Sequence, residues 1–427
     1  MAGLGKRWFY WAFVIYAVST FVSMAAMSIG VAILLVVLVT ELGGPREFAR
    51  AVRGEMFRPR ARWLFYAASA LAVFCVLSLL AGLIWPATYG GRSASIHFFR
   101  DALKVWYLFL PFAVAAGLRS LNQRDRTAVF RAWLVAFVIF SCFGVLQYFW
   151  GWPRPRTIPG HEPFHHVQLG LGHHLSYASV FIFPFFFWLE CLQSRLAGWR
   201  IRRSWLIGGA WIGFMALMGT FSRTLWLALP VGVLVWLIWS LPKRFRAPLT
   251  IGSVLLAVGI YSLPVVQNRL HTSLGVLPRE RLWQANWQMF IDRPVLGVGF
   301  RKNEQLSGYY LIDQQKSADV FAGHAHNNFL DILSGVGALG AAAWLFWCGV
   351  VFWLIWQARQ SGSIFSQPYL FRRPLLCAWL VFQVNGLTQV NFWEGKVMHQ
   401  MMWSVAWLLL ATAASVPPPS EKRHGKT

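Results

Sequence analysis

Residues 8–42, WFYWAFVIYAVSTFVSMAAMSIGVAILLVVLVTEL, form the apolar block from which the fold class can be decided. A helix that spans a membrane needs about 20 predominantly apolar residues. The block is too long for one tilted helix, so we predict two spans joined by a break around Ser23–Ser28. The N-terminal region is therefore expected to be a membrane hairpin.

The remainder of the chain repeats this pattern. Of its 427 residues, 57% are hydrophobic and only 13% are charged, whereas soluble proteins contain about 25% charged residues. We predict an all-α, polytopic protein that forms a single membrane-embedded domain over residues 1–427. About twelve transmembrane helices are expected, at 8–24, 26–42, 63–85, 102–118, 129–150, 175–194, 205–222, 224–241, 249–266, 337–357, 374–392 and 398–415.

The distribution of basic residues predicts the orientation. Of 39 Lys and Arg residues, 25 fall in alternate loops on one side, which the positive-inside rule assigns to the cytoplasm. Both termini, including a tail at 416–427, are then cytoplasmic, and the number of spans is even. The net charge of +24 is explained by contact with anionic membrane lipids, so no nucleic-acid partner is predicted.

Cysteine spacing and the N-terminus exclude two further classes. The five cysteines are scattered through apolar segments without paired spacing, which argues against a disulfide framework or a metal cluster. Lys6 and Arg7 precede an apolar run that is too long for the core of a cleavable signal peptide.

Two segments on the predicted periplasmic side are too long to be simple turns. The shorter is 151–174, and the larger, between spans nine and ten, is 267–336. Long loops in compact proteins are usually functional. The larger loop contains one apolar helical face, suited to the membrane interface or to contact with the bundle. Its members are Trp283, Trp287, Phe290 and Ile291.

Transport is disfavoured because the predicted spans contain few ionisable residues, which ion-coupled transporters need near the bilayer midplane. Glu190 lies toward a cytoplasmic helix end, where we expect it to extend to the interface. A polar set in the eleventh span is interpreted as hydrogen bonding between helices. It consists of Gln383, Asn385, Thr388, Gln389 and Asn391.

Two histidines, His324 and His326, stand at the mouth of the tenth span. Such a residue is often an inert interfacial side chain, but a neutral imidazole also acts as a general base near pH 7. No Asp, Glu or His at ligand spacing joins the pair, so a metal site is not predicted.

Two arginines have unusual positions. Arg223 lies in a tight hairpin between two spans, where it either extends to headgroups or binds an anion. Arg279 lies one helical turn before Trp283, so its guanidinium is expected to pack on the indole while binding phosphate oxygens. An ordinary charged interfacial helix is the alternative for this segment.

Arginine forks beside a candidate base suit a pyrophosphate group. The sequence has no P-loop, dinucleotide fingerprint or Asp-x-Asp-like motif, so a nucleotide-sugar donor is unsupported. A lipid pyrophosphate that approaches from the membrane fits better.

Three motifs in this order resemble the O-antigen ligase and polymerase superfamily of bacterial envelope glycosyltransferases. The first is Ser222-Arg223 between two spans. The second is Arg-x-x-Leu-Trp at Arg279, followed by Pro-x-x-Gly-x-Gly at Pro294. The third is His-Asn, nine residues, Gly, two residues, Gly, which begins at His326 and selects it over His324.

The resemblance implies a GT-C-like, metal-independent, inverting transferase of the inner membrane that needs no cofactor. Its donor would be a polysaccharide on undecaprenyl pyrophosphate, and its acceptor the lipid A–core. Arg223 and Arg279, with Arg281 as an alternative ligand, would bind the pyrophosphate, and His326 would act as the base. The expected substrate-binding residues are Arg281, Asn327 and Trp283. His173, His174 and Tyr177, at the mouth of the sixth span, either line the acceptor path and bind substrate or form a satisfied interfacial cluster.

Within the superfamily, the compact form most resembles the ligase. Polymerases often carry Arg-x10-Gly in outer loops, and neither large loop here contains that pattern. Protein O-oligosaccharyltransferases usually have an added C-terminal region. A multi-span transporter is the alternative of another class.

Overall fold

The structure is a computed structural model that describes residues 2–89, 92–93, 97–194, 199, 201–262, 277–313, 323–358 and 371–413. Within these ranges the only strands are β1 (Thr88–Tyr89) and β2 (Arg92–Ser93), which pair antiparallel. All other regular elements are helical. The α-helices are α1 (Ala2–Ser19), α2 (Met24–Glu41), α3 (Pro45–Met56), α4 (Ala61–Ile84), α5 (Phe98–Ala102), α6 (Leu110–Ser120), α7 (Gln123–Trp150), α8 (His174–Gln193), α9 (Arg203–Met218), α10 (Arg223–Ser240), α11 (Lys243–Tyr261), α12 (Leu277–Asp292), α13 (Asn303–Asp313), α14 (Asn328–Gln357), α15 (Arg372–Gly386) and α16 (Gly395–Ala413); short 3-10 helices cover Leu103–Phe109 and Leu169–Leu171.

The predicted fold class, an all-helical membrane protein, is confirmed. Every predicted span overlaps a helix, and the twelve-span count itself stays a prediction. In the described part of the chain, seven helical segments are long and apolar enough to cross a membrane. These are Met24–Glu41, Ala61–Ile84, Phe98–Ser120, Gln123–Trp150, His174–Gln193, Arg223–Ser240 and Asn328–Gln357.

Several predicted boundaries were wrong by a few residues. The N-terminal break lies at residues 20–23, earlier than expected, because Ser23 caps α2 by accepting a hydrogen bond from the Ala26 amide. Helix α14 begins nine residues before the predicted 337. Helix α15 ends at Gly386, so residues 387–392 form an irregular segment rather than the end of a span.

Helices α8 and α16 form the centre of the bundle. Both are apolar around most of their circumference, which is typical of helices enclosed on all sides. Helix α8 packs on α9, α15 and α16, while α16 also packs on α6. Because α8 and α16 are held on several sides, the residues at their ends have fixed positions.

Glu190 of α8 does not extend to the interface, so that expectation was wrong. Its side chain is fully buried and accepts hydrogen bonds from Arg373 at 2.5 Å, Trp236 at 3.1 Å and Ser194 at 3.0 Å. A buried carboxylate needs this full set of partners to offset its lost hydration. The group therefore joins α8, α10 and α15 from inside.

The predicted large loop contains two described helices, α12 and α13, with a small apolar core of their own. Leu282, Ala285 and Met289 form the buried side of α12. The aromatic face predicted for this helix is on a different side from these buried residues. Two of its members, Trp287 and Ile291, are about half exposed, at 49% and 52%. Residues 267–276 and 314–322 of this loop, and the predicted tail at 416–427, lie outside the described residues.

Candidate active site at the N-termini of four helices

Four helices begin with the residues singled out in the sequence. His174 opens α8, Arg223 opens α10, Arg279 lies in the first turn of α12, and His326 precedes α14. A helix N-terminus carries a partial positive charge and free backbone N–H groups, which favour anions. Placing arginines there opposes the helix dipole, so these positions favour a negatively charged ligand.

Arg223 is exposed at the start of α10. The hydroxyl of Ser222 caps the helix by accepting a hydrogen bond from the Leu225 amide at 3.4 Å. Phe221 just before it has a left-handed backbone, with φ of 53°. The Ser-Arg motif is thus a helix cap followed by a cation that faces solvent.

Arg279 is half-buried, and its electrostatic neighbour is Arg223. Burial, and then the charge of Arg223, lower the pKa of the Arg279 guanidinium. Arg281 lies two residues farther along α12, about 200° around the helix axis, so the two arginines project in opposite directions. The expected cation–π contact between Arg279 and Trp283 is not found among the described contacts, and the Trp283 indole N–H has no hydrogen-bond partner there.

His326 is half-buried and has a left-handed backbone, with φ of 48°. Its ring centroid lies 4.1 Å from that of His324. Burial and the neighbouring His324, Arg279 and His173 lower the pKa of His326 from 6.5 to about 3. The imidazole is therefore neutral at pH 7, which is the form that can accept a proton.

Asn327 has a structural role, and its substrate-binding role stays a prediction. Its Oδ1 caps α14 by accepting a hydrogen bond from the Leu330 amide at 3.1 Å, and its Nδ2 donates to the Leu387 carbonyl at 2.9 Å. The His-Asn pair thus places the histidine directly before a capped helix.

The three residues predicted along the acceptor path differ in position. His173 caps α8 by accepting a hydrogen bond from the Leu175 amide at 3.2 Å. His174 stacks between His173 and His166, with centroid distances of 4.4 and 4.3 Å. Tyr177 is fully buried against Phe181, so its prediction as a lining residue was wrong.

The motif glycines allow the segment 294–299 to pack directly on α14. The amides of Val298 and Gly299 donate to the carbonyls of Ser334 and Gly335, at 2.9 and 3.1 Å. Gly337 has φ of 72°, and a Cβ there would lie 2.3 Å from the Val295 carbonyl oxygen. Only glycine fits such a position, which explains its place in the motif.

A polar network fixes α12 and α13 to α14. Asn303 donates to Asn286 at 3.0 Å and to Asp331 at 2.8 Å, and Ser334 donates to Asn286 at 2.7 Å. Asn286 belongs to α12, which carries Arg279, and Asp331 and Ser334 belong to α14, which follows His326. Asn303, at the start of α13, connects the two. The network therefore sets the distance between the arginine and the histidine.

Sequence reasoning missed a cavity of about 240 Å³ beside His326. Its lining includes His173, Arg301, His324, Gln389, Trp393 and Glu394. The available signal was Glu394 and Lys396, charged residues between two apolar spans. Arg156 and His166 were also missed, although both interact electrostatically with His173.

Within the described ranges, no group of three His, Cys, Asp or Glu side chains is arranged to hold a metal ion. Residues 208–345 match the family model described as O-antigen ligase. This match supports membership of the O-antigen ligase and polymerase superfamily. No match is found among curated proteins.

The superfamily match spans Arg223, Arg279 and His326 together. Members of this superfamily are membrane glycosyltransferase-like enzymes, for which lipid-linked polysaccharides and lipid acceptors are implied. The match and the apolar helices together support a multi-pass membrane protein with activity of the O-antigen ligase or polymerase type. His173 and Glu394 lie outside the matched segment.

Proposed function

We propose that this protein is an O-antigen ligase at the periplasmic face of the bacterial inner membrane. It transfers polysaccharide from undecaprenyl pyrophosphate to the lipid A–core, with inversion and without a metal ion. The proposal is carried by one observation. Arg223 at the start of α10 interacts electrostatically with Arg279 in the first turn of α12, and Arg279 interacts in turn with His326, which precedes α14.

In this proposal, the arginines bind the donor pyrophosphate. Each guanidinium presents a planar fork to phosphate oxygens, and the positive ends of α10 and α12 add to the field. Arg279 is favoured over Arg281 because it is the one that interacts with both Arg223 and His326. As the sugar–phosphate bond breaks, the same groups stabilise the charge that develops on the leaving pyrophosphate.

His326 then accepts the proton of the attacking hydroxyl. The hydroxyl oxygen forms a bond to the anomeric carbon on the face opposite the pyrophosphate, whose C–O bond breaks. Because a hydroxyl is a weak acid, proton transfer accompanies attack. Bound pyrophosphate offsets the charge of Arg279, which raises the pKa of His326 and makes it a better base when the donor is present.

Deletion of the gene followed by lipopolysaccharide analysis tests the activity. Loss of a ligase leaves rough lipopolysaccharide and polymer on the lipid carrier. Loss of a polymerase instead leaves single-repeat addition, and loss of a transporter gives neither pattern. Complementation with the wild-type gene, but not with His326→Ala, is expected to restore attachment.

A further inference from the structure

The cavity beside His326 differs in chemistry from the arginine cluster. Its lining combines the carboxylates of Glu304, Asp331 and Glu394 with the amide of Gln389 and one arginine, Arg301. Carboxylates repel phosphate but accept hydrogen bonds from hydroxyl groups. The cavity is therefore unsuited to the pyrophosphate and suited to a polyhydroxylated ring.

The cavity lies next to the proposed base. His324 lines it, and the His324 ring is 4.1 Å from that of His326. His173 also lines it and interacts electrostatically with His326. A sugar in the cavity would thus place a hydroxyl close to the imidazole.

One carboxylate oxygen of Glu394 is fixed by neighbouring side chains, and the other is available to accept a hydrogen bond from a ligand. Its Oε1 accepts a hydrogen bond from the Ser176 hydroxyl and lies 3.8 Å from the Lys396 ammonium. Among the described residues, Oε2 accepts no hydrogen bond, and the side chain is 28% exposed. Lys396 itself donates to the Leu171 carbonyl, and both Lys396 and Ser176 act on the same carboxylate oxygen, Oε1.

Trp393 contributes an aromatic surface to the lining of the cavity. It lines the cavity, is 4% exposed, and its indole N–H has no hydrogen-bond partner in the described part of the chain. Its backbone is left-handed, with φ of 69°, an unfavourable conformation for a bulky residue. Such conformations are retained mainly where function requires them.

The size of the cavity limits the ligand to about one ring. A bound water molecule needs about 10–15 Å³ of cavity volume, whereas binding sites for drug-sized ligands occupy roughly 300–1,000 Å³. The 240 Å³ found here lies between these limits.

We propose that this cavity binds the acceptor sugar that carries the attacking hydroxyl, with Glu394 accepting a hydrogen bond from another hydroxyl of the same ring. Trp393 forms an aromatic wall beside that ring. The inference rests on the proposed ligase function, since it assigns the acceptor side of the same reaction.

Two-substrate kinetics on the full-length protein in lipid bilayers test this assignment. The varied substrates are undecaprenyl-pyrophosphate-linked polysaccharide and lipid A–core. Glu394→Gln is expected to raise the KM for lipid A–core about tenfold, because it removes a charge-assisted hydrogen bond, and to leave the donor KM unchanged. Glu47→Gln, at an exposed ion pair on α3, is the matched control and should change neither constant.

A binding measurement separates this inference from the proposed function. Deacylated core oligosaccharide is titrated calorimetrically into H326A protein with and without E394Q. A tenfold weaker affinity in the double variant supports the cavity even if the wild-type protein transfers no polysaccharide. Transfer by wild-type protein with unchanged acceptor KM and affinity in E394Q overturns the cavity assignment and leaves the ligase proposal intact.

Discussion

The protein uses arginine in two regions with opposite surroundings. Near one end of α8, Arg373 donates to the buried Glu190, which also binds Trp236 and Ser194. At the helix N-termini, Arg223 and Arg279 are near each other, with no ion pair to a carboxylate among the described residues. The charge of Arg373 is compensated by Glu190 within the fold, while the charges of Arg223 and Arg279 repel each other.

This difference distinguishes an arginine that is paired within the fold from the two that are proposed to bind substrate. A paired buried charge holds helices together, and its removal leaves the partner uncompensated. Two like charges at positive helix ends are unfavourable until an anion binds between them. The comparison predicts that changes in the first region affect stability and changes in the second affect turnover.

His326→Ala should have the largest effect on activity. Removing a general base lowers kcat by about 10²–10⁴-fold. The unfolding temperature should change little, because the side chain is only half-buried. Transfer assays with purified protein measure this, and His97→Ala at an exposed position serves as control. Retained turnover would show that another group accepts the proton.

Glu190→Gln should have the largest effect on stability. The substitution leaves Arg373 without its anionic partner and is expected to lower the free energy of unfolding by about 3 kcal/mol. Denaturation in detergent measures the change. Adding Arg373→Gln should restore part of the loss, and an additive further loss would contradict the pairing argument.

Arg223→Lys and Arg279→Lys test the second region. Lysine keeps the charge but loses the bidentate fork, so kcat/KM for the donor should fall about 10- to 100-fold without loss of stability. Arg281→Lys is the matched control, since it projects from the opposite side of α12. Equal losses in all three variants would reduce the role of the arginines to general charge attraction.

The smallest effect concerns pH. Neutral His326 is the active form, and its lowered pKa of about 3 keeps it neutral as the pH falls from 7 to 5. The donor kcat/KM, which reports the free enzyme, should therefore stay level over this range as far as His326 controls it. A half-maximal value near pH 6.5 would indicate that burial and Arg279 do not act on this histidine.

Local patterns in the sequence predicted the helices and the order of the site residues. Apolar runs predicted a helix at every expected span, and the spacing of Trp283, Trp287, Phe290 and Ile291 predicted the helix that is α12. The capping role of Ser222 and Asn327 follows from residue type, since hydroxyl and amide side chains at helix starts bind free backbone N–H groups.

Features that depend on distant contacts were not predictable. Glu394 is held by Ser176, more than 200 residues away in the chain, so no local pattern reveals the cavity. Tyr177 faces the core because of how α8 packs, which the sequence near it does not determine. The buried side of α12 differs from its aromatic face because the adjacent α13 covers Leu282 and Met289 instead.

The contact between Gly337 and the Val295 carbonyl has a consequence for comparing and recombining members of this superfamily. The histidine motif and the Pro294–Gly299 segment fit each other backbone to backbone, so neither is an independent module. In a chimera that exchanges residues 326–340 alone, the new histidine motif would pack against a Pro294–Gly299 segment to which it is not fitted. One that exchanges residues 294–340 as a unit carries the fitted pair across intact.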